Sequence, residues 1–518
     1  MMTTRAGTDT AGGRPPQSAD PEGRSLARPF GLRDKIGYMF GDWGNDFTFI
    51  LQSTFFLIFY TNVMGINPLH VGWLLFGARL IDAFTDVGAG RLVDTLKPSR
   101  GGRFRPWLLR ICVPVTVSAV LMFSPFLQDG SYGARVAWMV ATYLLWGSVF
   151  YTLINIPYGS MASVISSKPG DRASLSVFRS LGATLANLAI SVILPLIVYV
   201  QIDGRSQLSG SRMMLAVMGC AVLAIICYLL CYVNVQERVK VPPKPREERM
   251  GFGKIMGTLV TNRALTGLIA ASIIMLTGLL LLGTMIPYVY NEYFNNGQLL
   301  SLASLVGLLP TLLFVPFGAM LARKVGKREV GICGMALGAV GGLALYLART
   351  DSPYVFMIGY AVMMLGAAAL NVLIWAYITD VIDLQEIRTG ERNDATVYSL
   401  YSWARKLGQA LAGGLSGWVL AWIGFQSGGV QQTQGVLDGI YSLSTLLPAA
   451  LMAAVGVILA TWYPLSKKRV DENVAILQQR RDQGRASTIV VPTETSPHPT
   501  VSRRADGTPL DDSDPDLR

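Results

Sequence analysis

The strongest constraint on this chain is a repeated block of apolar residues. Stretches of about 20 to 28 residues recur along its length, each long enough to cross the hydrocarbon of a bilayer as a helix. Twelve can be delimited: 37–62, 69–94, 107–127, 134–161, 174–201, 212–235, 265–289, 299–321, 329–348, 353–379, 396–424 and 440–463. Only 15% of the residues are charged, against about 25% in a soluble domain, and 51% are hydrophobic. The expected fold class is therefore an all-α membrane protein with twelve transmembrane helices. Collagen, coiled coil, disulfide scaffold and β-barrel are excluded. There is no three-residue glycine period, no heptad, no run of short alternating strands, and the five cysteines are scattered.

Charge orients the spans. Lys97, Arg100, Arg103, Arg105 and Arg110 fall between spans two and three, Lys168 and Arg172 between four and five, and Arg323, Lys324, Lys327 and Arg328 between eight and nine. The linker after span six adds Arg238, Lys240, Lys244, Arg246, Arg249, Lys254 and Arg263. The alternate loops hold only Arg135, Arg205, Arg212 and Arg349. The positive-inside rule places the basic loops and both termini in the cytosol of a multi-pass plasma-membrane protein. Because the basic residues follow loop parity, the formal charge of +11 reports orientation rather than nucleic-acid binding. No apolar segment with a cleavage pattern precedes the first span, so no removable signal peptide is expected.

The chain also repeats. Gly90 leads through Asp94 into Lys97, Arg100 and Arg103, and 228 residues later Gly318 leads into Arg323, Lys324, Lys327 and Arg328. This glycine-plus-basic loop resembles the signature of the major facilitator superfamily, which implies two six-helix pseudo-repeat halves with a binding site between them near the midplane. The expected organisation is a disordered cytosolic tail (1–34), a first half (35–235), a cytosolic central loop (236–264), a second half (265–465) and a cytosolic C-terminal tail (466–518). That last tail is mostly disordered beyond a short helix at Val470–Asp482.

Charges inside the spans need a reason, since each costs about 2.5–3.5 kcal/mol at the bilayer centre on insertion scales. Asp82 and Asp86 are four apart and share a helix face, with Arg79 on the same side. Asp42 and Asp46 form a second such pair, and Lys406, beside Arg405, lies inside span eleven. At 1.5 Å per residue, Asp46, Asp82, Asp86 and Lys406 all fall about 12–18 Å from one membrane face, near the level of Asn155. That convergence points to a cation site at Asp82 and Asp86, with Thr85 and Thr152 as hydroxyl ligands, Lys406 and Arg79 as coupling charges, and either a proton or Na⁺ as occupant. The alternative is an ion-pair network, Asp82–Arg79 and Asp86–Lys406, that only fastens helices. Tyr158, Tyr151 and Trp146 can stack on a sugar ring while Asn155 bonds its hydroxyls; as interface or core aromatics they would do neither.

The stretches GYMFGDWGND (37–46), ARLIDAFTDVGAGRLVD (78–94), GRFRPW (102–107), NIPYGSM (155–161), RASLSVFRS (172–180), ITDVIDLQEIRTGER (378–392) and YSLYSWARKLGQALAGG (398–414) resemble the glycoside–pentoside–hexuronide:cation symporter family over about residues 30–465. The resemblance implies that Asp82, Asp86 and Thr152 bind the coupling cation, that Lys406 tunes that site, and that Asp46 and Arg179 contact sugar. Asp42 joins the expected substrate contacts with Asn155 and Tyr158. Thr85 stands where melibiose-transporting members have an asparagine, which keeps an oxygen and favours a proton. Asn155, Gly159 and Asn45 replace their acid, tryptophan and lysine, so galactoside specificity does not carry over.

The implied function is cation-coupled symport of a glycoside or related sugar, by a monomer using no cofactor beyond the transported Na⁺ or H⁺. Two rivals are a carrier of lipid, drug or organic anion on the same fold, and a transport-like membrane sensor. No nucleophile–base pair, phosphate loop or metal cluster suggests an enzyme.

Overall fold

A computed structural model describes residues 28–96, 101–239, 262–389 and 394–486. Among these residues, twelve long helices run back and forth, and a thirteenth lies beyond the last. They are α1 (Leu32–Ile58, continued by a π-helical turn Phe59–Val63), α2 (Pro68–Thr95), α3 (Arg105–Met122), α4 (Tyr132–Ile165, π-helical over Leu145–Tyr151), α5 (Pro169–Val198) and α6 (Gly210–Asn234). The second set is α7 (Arg263–Tyr288, continued by a π-helical turn Val289–Tyr293), α8 (Leu300–Lys324), α9 (Lys327–Ala348), α10 (Pro353–Asn371, resuming at Ile374–Thr389), α11 (Asp394–Trp422) and α12 (Gln434–Thr461). The last helix is α13 (Lys467–Ala486). Every expected span coincides with one of α1–α12, and the chain is a multi-pass membrane protein.

Local chemistry sets the ends. Pro68, Pro169 and Pro353 occupy first turns, where a missing N–H costs nothing. The Asn67 carboxamide accepts from Leu69 N at 2.9 Å, and that of Asn262 accepts from Ala264 N at 3.1 Å. One connection departs from expectation. The fifth span stops at Val198, and Tyr199–Ile202 pairs with Arg205–Leu208 as an antiparallel hairpin, β1 and β2. Asp203 and Gly204, at φ +51° and +74°, form a turn that suits such a two-residue connection. Packed structure also starts before the expected boundary at 34, since α1 begins at Leu32. Asp34, fully buried, pairs with Arg28 at 3.0 Å and Arg238 at 2.9 Å, which ties the start of α1 to the segment after α6. Residues 1–27, 240–261 and 487–518, where the tails and most of the central loop were expected, lie outside the described residues.

The repeat is visible in the helices themselves. Both α1 and α7 end in a π-helical turn, followed by the same backbone bond, Ile66 N to Tyr60 O at 2.9 Å and Asn296 N to Tyr290 O at 2.8 Å. The π stretch of α4 begins at Leu145, and α10 breaks at Val372 and Leu373, about 228 residues on. Packing repeats as well: α1 lies against α5 and α6 as α7 lies against α11 and α12, and the two sets meet through α2 on α11 and α5 on α8.

The face from which α1 rises and to which α12 returns is called the near face here. At the opposite, far face the two sets are closely joined. Gly428 N donates to Thr61 O at 2.8 Å, and Ser427 Oγ to Ile66 O at 2.8 Å. Thr61 Oγ1 and Tyr288 OH lie 2.8 Å apart, and Asn62 Nδ2 donates to Glu292 Oε1 at 2.6 Å. The hairpin adds Ser206 N to Asn295 Oδ1 at 2.7 Å. Below this, α2 and α11 touch through glycine: a Cβ at Gly72 would sit 2.8 Å from Gly414 O, and one at Gly417 would run into Pro68 O and Gly72.

Candidate functional site

Nine of the described spans are long and apolar enough to cross a membrane on composition alone; α1, α2 and α11 are not among them. These three carry Asp42, Asp46, Arg79, Asp82, Asp86, Arg405 and Lys406. They bring those residues to one cavity of about 330 Å³, which α4 and α5 complete with Trp146, Tyr151, Thr152, Asn155 and Arg179. Such a volume suits a small solute. A second, smaller cavity continues from it toward the far face and shares Phe49, Arg79 and Gln409.

The acids are held in a regular way. Ser148 Oγ donates to Asp82 Oδ1 at 2.6 Å, and Thr152 Oγ1 donates to Asp86 Oδ1 at 3.1 Å. Both pairs are 66 residues apart. Helices α2 and α4 run in the same direction, so two acids four apart meet two hydroxyls four apart, turn for turn. The π-helical stretch of α4 contains Ser148 and ends just before Thr152, whose hydroxyl also donates to Gly147 O at 3.1 Å. Stretches of this kind often re-aim side chains at functional sites.

Each acid of the pair also has a cation. Arg79 Nη1 lies 3.5 Å from Asp82 Oδ2. Lys406 Nζ donates to Asp86 Oδ2 at 2.7 Å, reaching across from α11. On the other side, Arg179 Nε donates to Asp42 Oδ1 at 2.9 Å. The Arg179 and Lys406 side chains keep 44% and 41% of their surface exposed, so solvent reaches the cavity. Arg79–Asp82 lies within α2, so two joins between elements in the cavity depend on charge, Arg179–Asp42 and Lys406–Asp86, and among the described residues lining it Lys406–Asp86 is the one that bridges the two sets of helices.

Most of the sequence-predicted residues meet in this cavity. Asp42, Asp46, Arg79, Asp82, Asp86, Thr152, Asn155, Arg179 and Lys406 all line it. Asn155 accepts from Asn45 Nδ2 at 3.5 Å, and Asn45 Oδ1 in turn accepts from Tyr228 OH at 2.9 Å. Two expected contacts are placed elsewhere. Thr85, one residue before Asp86, turns away and donates its hydroxyl to Asp82 O at 3.3 Å, so it adds no ligand to the pair. Tyr158 is fully buried against Tyr38, ring centroids 4.7 Å apart, and donates to Tyr38 O at 2.8 Å. Its ring backs the Arg179 guanidinium at 5.5 Å, which makes it a support rather than a lining residue. Ser148 and Gln409 were missed. The four-residue spacing of Ser148 and Thr152, matching that of Asp82 and Asp86, is the signal that finds the former. No comparable signal marks Gln409.

A family model for MFS/sugar transport proteins matches residues 37–467, most of the chain. The chain belongs to that family. This places it in the major facilitator superfamily and agrees with the glycoside–pentoside–hexuronide resemblance. It is 30% identical over 452 residues to the uncharacterized symporter YjmB of Bacillus subtilis, covering 87% of this chain and 96% of that protein. It is also 30% identical over 456 residues to the glucuronide carrier protein homolog of Escherichia coli, with coverage of 87% and 96%. Its fold matches the crystal structure of a D-xylose-proton symporter at a TM-score of 0.56, with 15% identity over 84% of this chain and 97% of that one. The protein is a membrane transporter and not an enzyme.

Proposed function

We propose that this transporter carries a sugar-like solute into the cell together with one cation, by alternating access between its two six-helix halves. The observation that carries the reading is the Asp82–Asp86 pair, with matched hydroxyls from α4 on one side and Lys406 from the other half on the other. A proton or Na⁺ arriving at the pair competes with Lys406 for Asp86. Loosening Lys406 frees the one charged link that crosses between halves in the cavity. Cation and solute binding are thereby coupled, and each raises the affinity for the other by the same factor. The near face is the cytosolic one, since it carries the basic loops, and both termini lie there. The conformation described, joined at its far face, is then the inward-facing one. Thr85 offers no ligand to a metal ion and both acids already have cations beside them, which supports H⁺ over Na⁺ as the partner ion.

The test is uptake by membrane vesicles containing the protein, over a panel of glycosides and uronides, with imposed Na⁺ or proton gradients. Accumulation that follows one of the two gradients is expected. Solute equilibration indifferent to both would contradict coupling, and binding without flux would favour a sensor.

A further inference from the structure

The charges lining the cavity form a ledger that does not close within the protein. Four are acids, Asp42, Asp46, Asp82 and Asp86, and four are bases, Arg79, Arg179, Arg405 and Lys406. Three pairs are made: Asp42 with Arg179, Asp82 with Arg79, and Asp86 with Lys406. Asp46 and Arg405 remain, and among the described residues neither has a hydrogen-bond or ion-pair partner.

The internal repeat explains why Arg405 is left over. Residues 179–186 read RSLGATLA and residues 405–412 read RKLGQALA, so Arg179 of α5 and Arg405 of α11 are counterparts. The glycines that follow play the same part. A Cβ on Gly182 would press on Met39 O of α1 at 2.7 Å, and one on Gly408 on Ile273 O of α7 at 3.2 Å. Arg179 finds its acid on α1, at Asp42. The counterpart of α1 is α7, which carries no acid anywhere between Arg263 and Tyr288. Arg405 thus keeps the position of a paired arginine without the carboxylate. A third group is also unpartnered: Trp146, 1% exposed, lines the cavity, and its Nε1 has no hydrogen-bond partner among the described residues.

We infer that Arg405 is the receptor for an acidic group on the solute, so that the cargo is a hydroxylated organic anion rather than a neutral sugar. A carboxylate or sulfonate matches the guanidinium fork. Asp46, on α1, accepts from the solute's hydroxyls, and Trp146 Nε1 donates to one of its oxygens. The charges agree with symport. With four acids against four bases the empty cavity is formally neutral, and an anionic solute with one cation leaves it neutral again. This inference rests on the reading given under Proposed function and specifies its substrate class.

The experiment measures binding to the purified full-length protein in lipid nanodiscs, using methyl β-D-glucuronide, its neutral methyl ester and methyl β-D-glucoside as probes. The free acid is expected to bind at least about tenfold more tightly than either neutral probe, the scale of one charge-assisted bidentate contact. Arg405→Gln should remove that preference, bringing the acid to the affinity of the neutral probes, and Arg405→Lys should restore part of it. Equal binding of acid and neutral probes by the native protein would overturn the inference and leave sugar transport standing. A uniform loss for all three probes in Arg405→Gln, with the variant still correctly inserted, would also overturn it. If none of the probes binds to the native protein, both the inference and the sugar reading fall. Should Arg405→Gln not insert, the acid-to-ester ratio of the native protein and of Arg405→Lys decides the matter.

Discussion

The two halves of this molecule share a plan and differ in charge, and the difference locates the chemistry. At the offset of 228 residues that relates the glycine loops, Arg79, Asp82 and Asp86 of α2 correspond to Gly307, Pro310 and Phe314 of α8. Helix α7, the counterpart of α1, has no acid where α1 has Asp42 and Asp46. The second half contributes only α11 to the charged cavity, through Arg405, Lys406 and Gln409. Backbone features survive duplication: both π-helical ends, the interruptions of α4 and α10, and the close glycine contacts recur. The repeat therefore maintains how the helices of each half pack, while the charged side chains of the cavity are specific to each half. A carboxylate pair on one half answered by a lysine from the other also gives ligand binding a direct hold on the interface between them.

The comparison can be broken at several points. The largest effect is expected at the pair itself. Asp86→Asn should lower gradient-driven accumulation about a hundredfold, because it removes the charge-assisted bonds from Lys406 and Thr152 together. Vesicle uptake with the variant's membrane content measured alongside checks this, and normal accumulation would return the pair to a structural role. Lys406→Ala comes next. Solute should still equilibrate but accumulate about tenfold less, since one charged link across the halves is lost. Accumulation at the native level would show that the cross-half link carries no coupling.

A smaller loss is expected at Ser148. Ser148→Ala removes one hydrogen bond to a carboxylate, worth about 1.5–3 kcal/mol at most, and should shift the apparent cation affinity about tenfold with the maximal rate little changed. A dose–response in the driving ion reads it out. The smallest effect belongs to the second half. Phe314→Leu, at the position corresponding to Asp86, should leave ion coupling within about twofold of native, because no charge is present there to lose. A coupling defect in that variant would undo the contrast between the halves.

Much of the fold was legible in the sequence for one reason: a helix crossing hydrocarbon needs a long apolar block, and such blocks are hard to mistake. The three helices least apolar, α1, α2 and α11, were still legible, because their charges recur at helical spacing within otherwise apolar runs. Side-chain direction was less accessible. Asp82, Thr85 and Asp86 are close in sequence, yet the turn of α2 sends Thr85 back onto the Asp82 carbonyl while the two acids face α4. Tyr158 looked equally available for stacking, but only the packing of α4 on α1 shows its ring buried against Tyr38. The hairpin after α5 was hidden because Tyr199–Ile202 reads as a continuation of an apolar span. Its Asp203–Gly204 turn was the local signal against that reading. The unpaired state of Arg405 was invisible for a different reason: it depends on which partners every other cavity charge has taken.

The central claim is that the Asp82–Asp86 pair receives the cation that travels with the solute. The most direct measurement is ion movement driven by solute in proteoliposomes, with pH and Na⁺ indicators inside and no imposed ion gradient. Adding a transported solute to the native protein should carry one of the two ions inward with it, and Asp86→Asn, inserted to the same level, should move solute without ion. Equal solute-driven ion flux in the native protein and in Asp86→Asn would place the cation elsewhere and contradict the account.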